Sequence, residues 1–308
     1  MPDNTSNHGL GVALVAAAAV AWSTAPFFVR LLPLDSFTIL FWRGAFAGSA
    51  TVALLVLVQG RSSLTELTRM HRGGLLFAVF SAVAMLLFIP SLQLTSVANV
   101  AIIMAIVPFA AAALAWVWFR ETPRRRTVLA SAIAVLGVAI SVGGASAGSD
   151  MKGILLALLM MLSIAGMTVT ARRYRDTPLV AAAALSNFLG AAASLPFAQG
   201  VASVSAHDIA ILAAFGVLQV ALGLTFFVLG SRHLPAAQAA LIATLETPLM
   251  PFWVWLAFND APGRGQLLGG AIVLAAVVAD ILGDLRSQAS LNRRTDEALA
   301  ESPSVRRE

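Results

Sequence analysis

The sequence contains no cysteine. Disulfides, thiolate nucleophiles and thiolate metal sites are therefore excluded. Charge is scarce too: only 11% of the 308 residues are Asp, Glu, Lys or Arg, where soluble proteins carry about a quarter. Histidine occurs four times, as His8, His71, His207 and His233, each at or near the end of an apolar run. A catalytic zinc needs several such ligands converging, so no metal is expected. There is no glycine-rich phosphate cradle or nucleotide motif, which removes support for ATP-driven pumping. The short alternating strands of a membrane β-barrel are missing. No basic stretch precedes the first apolar run, so that run reads as a retained span and not a cleaved leader.

What remains is apolar. The chain is 59% hydrophobic with a mean hydropathy of +0.86, more apolar surface than a soluble fold of this composition hides. Runs suited to about 30 Å of hydrocarbon fall at residues 9–28, 37–58, 73–94, 97–119, 127–142, 153–171, 179–198, 208–230, 236–258 and 265–281. Glycine and proline lie inside several of them, as membrane helices tolerate. The expected fold is an all-α membrane protein of ten transmembrane helices. From Ser287 onward the chain is polar and lacks an apolar period, which reads as a disordered or loosely membrane-apposed tail. Asp296, Glu297 and Glu301 argue against a basic lipid-binding role for it.

The net charge of +5 is not gathered into a nucleic-acid-binding tract. The arginines form short clusters between apolar runs, as cytoplasmic loops do. With the N-terminus inside, the inner loops hold Arg61, Arg69, Arg72, Arg120, Arg124, Arg125, Arg126, Arg172, Arg173, Arg175 and Arg232. The tail adds Arg286, Arg293, Arg294, Arg306 and Arg307, which makes sixteen of the twenty basic residues. Arg30, Lys152 and Arg264 fall outside, and Arg43 lies within a span. Both termini are expected in the cytoplasm, which requires an even number of spans.

The chain also repeats itself at a shift of about 140 residues. Leu94 to Pro108 meets Leu234 to Pro248, with Leu and Pro matched at both ends. Phe119–Pro123 meets Phe258–Pro262, Gly11 meets Gly153, and Arg30 meets Arg172. Five spans per copy force the second copy to enter the membrane from the opposite side. The expected architecture is a 5+5 inverted-topology repeat, a recurring transporter design with its site at the midplane between the halves.

Certain residues then become specific by their order and spacing. They are Trp22-Ser23-x-x-Pro26 in the first span, Arg43 in the second, and Pro108 followed by Arg120-Glu121 in the fourth. Glu246-Thr247-Pro248 followed by Asp260 completes the set in the ninth. The chain resembles the ten-helix members of the drug/metabolite transporter superfamily, EamA-repeat type, over about residues 9–285. Thr247 departs from the adjacent Glu-Pro common in that family. The resemblance implies a first five-helix repeat at 9–143, a second, inverted one at 152–285 and a cytoplasmic polar tail at 286–308. It implies a multi-pass protein of the bacterial inner (plasma) membrane that carries a small molecule and uses no cofactor. Overall likeness is greatest to bacterial exporters of aromatic amino acids, the YddG type.

A substrate site needs polar groups and wet backbone at depth. Proline leaves the carbonyl four residues earlier without its helical donor: Pro26 frees Trp22, Pro108 frees Met104 and Pro248 frees Thr244. Ser23, Asn99, Thr168, Gln219, Thr244 and Glu246 are polar residues deep in spans, where function and interhelical bonding compete. Glu246 reads as a proton-coupling group, a contact for a substrate ammonium or a link to another helix. Arg43 reads as a partner for a substrate carboxylate or for Glu246, or as a snorkelling side chain. Trp22, Phe80, Phe88, Trp116, Phe226 and Phe227, with Met104, Met160 and Met167, suit an apolar, adaptable wall. Trp253 and Trp255 read as interfacial anchors. Small residues on the fifth helix (Ala130, Ala134, Gly137, Ser141) and the tenth (Gly265, Gly269) read as packing faces or a dimer seam.

Three classes of function compete. An enzyme is disfavoured, because the deep ionisable groups Arg43, Glu246 and Asp280 lie on three different helices and no catalytic residues emerge. A scaffold explains neither the inverted repeat nor the mid-span prolines. Transport by alternating access explains both, with aromatic or other amphipathic amino acids ahead of a broad drug or metabolite range. A nucleotide-sugar carrier would need several cations at depth, and only Arg43 is there. The expected partners are the substrate and lipid, in a monomer or homodimer, with no nucleic acid.

Overall fold

In hydrocarbon every backbone N–H and C=O needs an internal partner, and a helix supplies one within its own segment. The computed structural model describes residues 4–60, 63, 65–66, 70–120, 125–142, 149–174, 177–234 and 236–300, and among them there is no strand. The first half consists of α1 (Asn4–Ser23), α2 (Ala25–Leu31), α3 (Ser36–Gln59), α4 (Arg72–Leu94), α5 (Val97–Ala105), α6 (Val107–Phe119) and α7 (Arg125–Val142). The second consists of α8 (Ser149–Arg173), α9 (Leu179–Ser194), α10 (Ala206–Ala214), α11 (Gly223–Ser231), α12 (Ala236–Ala243), α13 (Glu246–Phe258) and α14 (Arg264–Ala300). A π-helical segment, Phe215–Leu222, joins α10 to α11. Seven described helices are long and apolar enough to cross a membrane, or eight if the bent α5–α6 pair is one span. The remaining expected positions are filled by α7 and the α12–α13 pair.

Three spans are broken where the prolines lie. The α1–α2 break falls at Thr24, the α5–α6 break at Ile106 with a bend of 41°, and the α12–α13 break at Thr244–Leu245. Pro26, Pro108 and Pro248 each sit in the first turn of the helix that follows, where a missing N–H disturbs least.

The repeat has a structural signature. Among the described non-glycine residues, only Arg120 (φ 55°) and Asn259 (φ 57°) take positive φ. These are repeat mates, and each ends the second piece of a broken span. Helix packing is paired in the same way. α4 packs on α8 as α11 packs on α1, and α9 packs on α4 as the π segment and α10 pack on α3. The pairs α3–α9, α7–α14 and α5–α13 are their own mates, as a twofold between the halves requires.

The halves are inverted. Asp260, at the end of the ninth span, lies beside Ser96, Val97 and Ala98 at the start of the fourth, so the fourth and ninth spans run in opposite directions. Asp260 pairs with Arg30 at 2.6 Å, and Thr95 donates to Asp150 at 2.7 Å at this same end. At the opposite end Arg126 pairs with Asp280 at 3.1 Å.

Small residues place two helices in contact. A Cβ on Gly269 would lie 2.3 Å from the Gly137 carbonyl oxygen, and one on Gly137 would lie 2.8 Å from that of Gly269. The α7–α14 seam is thus made by backbone approach within one chain, which uses the face that also read as a dimer seam. The tail departs from expectation: α14 does not stop near Ile281 but runs to Ala300. After Gly283 the described sequence has no glycine or proline, so a helix already nucleated by the span extends residue by residue.

Candidate functional site

A cavity of about 270 Å³ lies between the halves. The first half contributes Trp22, Arg43, Met85, Phe88 and Met104, and the second Met160, Ile164, Met167, Gln219 and Glu246. Met160, Ile164 and Met167 follow one helical face, as do Met85 and Phe88. Four methionines and two aromatic rings make the wall apolar and deformable. One basic and one acidic side chain, Arg43 and Glu246, line this space.

Arg43 is held by a chain of contacts that begins with a proline. Pro26 has no N–H, so the Trp22 carbonyl lacks its donor from within the helix. Gln219 Nε2 donates to that carbonyl at 3.3 Å, and Gln219 Oε1 accepts from Arg43 Nη2 at 2.9 Å. The amide orientation is fixed by chemistry, because a guanidinium only donates. Phe215 lies under the guanidinium, 4.7 Å from ring centroid to Cζ, a cation–π contact. Gln219 and Phe215 both belong to the π-helical segment, a feature frequent at functional sites. Gly216 brings this segment against the second span: a Cβ there would lie 2.7 Å from the Arg43 carbonyl. Gly223 does the same for Trp22, whose Nε1 would lie 2.5 Å from an added Cβ.

The buried core comprises one large cluster and two small ones. Its main cluster runs from Val29, Leu32, Leu92 and Val97 near the Arg30–Asp260 end to Ala130, Ala276 and Val277 near the Arg126–Asp280 end. The two small clusters lie towards this second, arginine-rich end. One is Ala111, Ala115, Ala165 and Val169 on α6 and α8; the other is Val15, Leu234 and Ala239 around α1 and α12. At the Arg30–Asp260 end, Asp35 caps α3 by accepting from the Phe37 and Thr38 amides. Burial raises the Asp35 carboxyl, but hydrogen bonds from the Thr38 hydroxyl and the Thr38, Gln199 and Phe37 amides outweigh it and hold it below its usual range.

The structure brings Trp22, Met104, Met160, Gln219 and Glu246 together and leaves the other five expected site residues outside the lining. Ser23 faces the α13 side, donating to the Val20 carbonyl and accepting from Trp253 Nε1 at 2.8 Å. Trp253 is therefore an interior partner and not an interfacial anchor. Phe80 fills the α4–α8 seam, where a Cβ on Gly166 would meet its ring at 2.8 Å. Asn99 belongs to a buried network with Thr95, Ser141 and Gln266. Thr168 bonds back to the Ile164 carbonyl at 2.8 Å, and Thr244 stays at the α12–α13 break. Trp116 is exposed towards lipid at 53%.

The freed carbonyls also divide. That of Met104 is met by the Ile106 N–H and that of Thr244 by the Thr247 N–H, so both are satisfied locally and only Trp22 reaches across to another span. Pro108 and Pro248 are exposed. Arg43 was legible as the deepest arginine; Ala84, Met85 and Ile164 carried no signal beyond a helical apolar face. A larger groove of about 430 Å³ lies on the exposed side of α13 and α14, with Pro248, Phe252, Trp255 and Leu267 among its walls and no charged side chain.

Comparison with known proteins agrees with this architecture. The profile of the EamA-like transporter family matches the chain twice, at residues 9–143 and 151–279. The chain belongs to the EamA-like transporter family. An uncharacterized transporter of Archaeoglobus fulgidus is 26% identical over 270 residues, covering 87% of this chain and 95% of that protein. A crystal structure aligns over 90% of this chain and 98% of its own, with a TM-score of 0.64 at 18% identity, which shows the shared fold. This EamA-like protein is thus a multi-pass membrane transporter of a small molecule.

Proposed function

We propose that this transporter exports small amphipathic metabolites, aromatic and hydrophobic amino acids first among them, by alternating access around the cavity between its halves. The observation that carries this reading is the cavity wall: Arg43 and Glu246, a base and an acid, face one space lined by methionine and aromatic side chains. No hydrogen bond or ion pair joins the two among the described residues. An unpaired charge is costly at depth in a membrane, and a zwitterion with an apolar body complements both. The volume of about 270 Å³ is near the lower end of small-molecule sites, which run from about 300 Å³ upward. This favours a single compact solute. The excess of arginine at one end supports cytoplasmic termini and an inner-membrane setting.

The four methionines support a second reading, a broader drug and metabolite exporter, because such walls re-pack around different guests. Counterflow in proteoliposomes with a panel of labelled amino acids and bulky cationic drugs separates these. Exchange of aromatic amino acids is the expected result. Exchange of sugars alone overturns the substrate class, and no flux of any solute leaves a non-transporting scaffold.

A further inference from the structure

Arg43 is 6% exposed, and the hydrogen-bond partner of its guanidinium among the described residues is the neutral Oε1 of Gln219. Its Nε is buried with no partner. A buried cation held by one neutral acceptor and one aromatic face lacks the anion that normally balances it. The groups that hold it also restrict its movement. Gln219 is tied at its far end to the Trp22 carbonyl, which is available only because Pro26 cannot donate. Phe215 supports the opposite face, and the close backbone approach at Gly216 leaves the second and eighth spans little room to slide. An arginine free to snorkel needs no such fixture.

We propose that Arg43 is the specificity-determining residue for an anionic group on the substrate, a carboxylate. Gln219 is its positioning residue, set in turn by the carbonyl that Pro26 leaves free. This rests on the transport reading above and adds to it the polar group on which selection acts. A charge-assisted pair between guanidinium and carboxylate is about twice as strong as a neutral hydrogen bond. The same solute with a neutral amide in place of the carboxylate leaves the cation unbalanced.

The test is counterflow by the full chain in proteoliposomes with three probes: L-phenylalanine, L-phenylalaninamide and 2-phenylethylamine. The native protein is expected to favour the acid by about tenfold or more, equivalent to about 1.4 kcal/mol. Arg43→Gln is expected to remove that preference and Arg43→Lys to keep part of it. Gln219→Leu is expected to raise the half-saturation concentration for the acid by a larger factor than for the two probes that lack a carboxylate, which lowers the acid-over-amide ratio. Because the readout is a ratio within one variant, a folding defect lowers all three probes together and leaves the ratio alone. If Arg43→Gln yields no active protein, the native ratio and Gln219→Leu decide. Equal transport of acid and amide by the native protein overturns the proposal, as does an unchanged ratio in an active Arg43→Gln or Gln219→Leu. Both outcomes still leave a working transporter, whereas no flux of these or any other solute sinks the transport reading itself.

Discussion

At the residue scale, Glu246 and Asp35 show how position sets the role of a carboxylate. Glu246 opens α13 at the cavity wall, and no hydrogen bond or ion pair joins it to Arg43 among the described residues. If it contacts a substrate ammonium, Glu246→Gln raises the half-saturation concentration of L-phenylalanine by about tenfold, the scale of one lost charge-assisted contact. 3-Phenylpropionate, which lacks the ammonium, is unaffected in the same counterflow assay. Equal losses for both solutes rule out the ammonium contact. Asp35 lies just before its span and acts locally. Asp35→Ala is expected to lower stability by about 1 kcal/mol and Asp35→Asn by less, since Asn caps nearly as well; thermal unfolding in detergent measures both. The folded carboxyl is held below its ordinary value of 3.8. Its contribution is therefore complete above that pH and is lost as pH falls through the folded value.

At the scale of the element, broken and small-residue helices do different work. Pro26→Ala returns an N–H to the Trp22 carbonyl, which then competes with Gln219 Nε2. The expected result is a partial loss of acid-over-amide preference without loss of thermal stability; an unchanged ratio would detach the break from the site. The α7–α14 seam tests packing alone. Gly269→Ala forces a Cβ to within 2.3 Å of the Gly137 carbonyl, an overpacking worth about 1–3 kcal/mol. Gly9→Ala, with nothing within 4 Å of the added Cβ, is the matched control and is expected to unfold at the native temperature.

At the scale of the molecule, ion pairs join spans of the inverted halves at both ends. Arg30 pairs with Asp260 between the first and ninth spans at one end, and Arg126 pairs with Asp280 between the fifth and tenth spans at the other. If alternating access separates the first and ninth spans at their end, Arg30 and Asp260 must part. The chain has no cysteine, so Arg30→Cys/Asp260→Cys introduces the only thiols. Joining them with a short bifunctional thiol reagent is expected to stop flux, while the untreated double variant still transports. Undiminished flux after complete cross-linking would show that this contact does not separate during turnover.

The sequence by itself determined the class of fold, the ten apolar segments, the repeat and the position of the breaks. These follow from hydrocarbon length, backbone satisfaction and proline's missing N–H, all of which act along the chain. It also marked Trp22, Gln219 and Glu246 as polar or aromatic residues at depth. Only the tertiary structure decided which of the deep polar residues meet. Asn99 and Gln219 look alike in sequence, an amide within an apolar run, yet Asn99 ends in a network with Ser141 and Gln266 while Gln219 faces the cavity beside Arg43. The difference is rotational: a helix that is apolar on all sides carries no stripe to show which face turns inward, and that rotation is set by the glycine contacts and freed carbonyls of neighbouring spans.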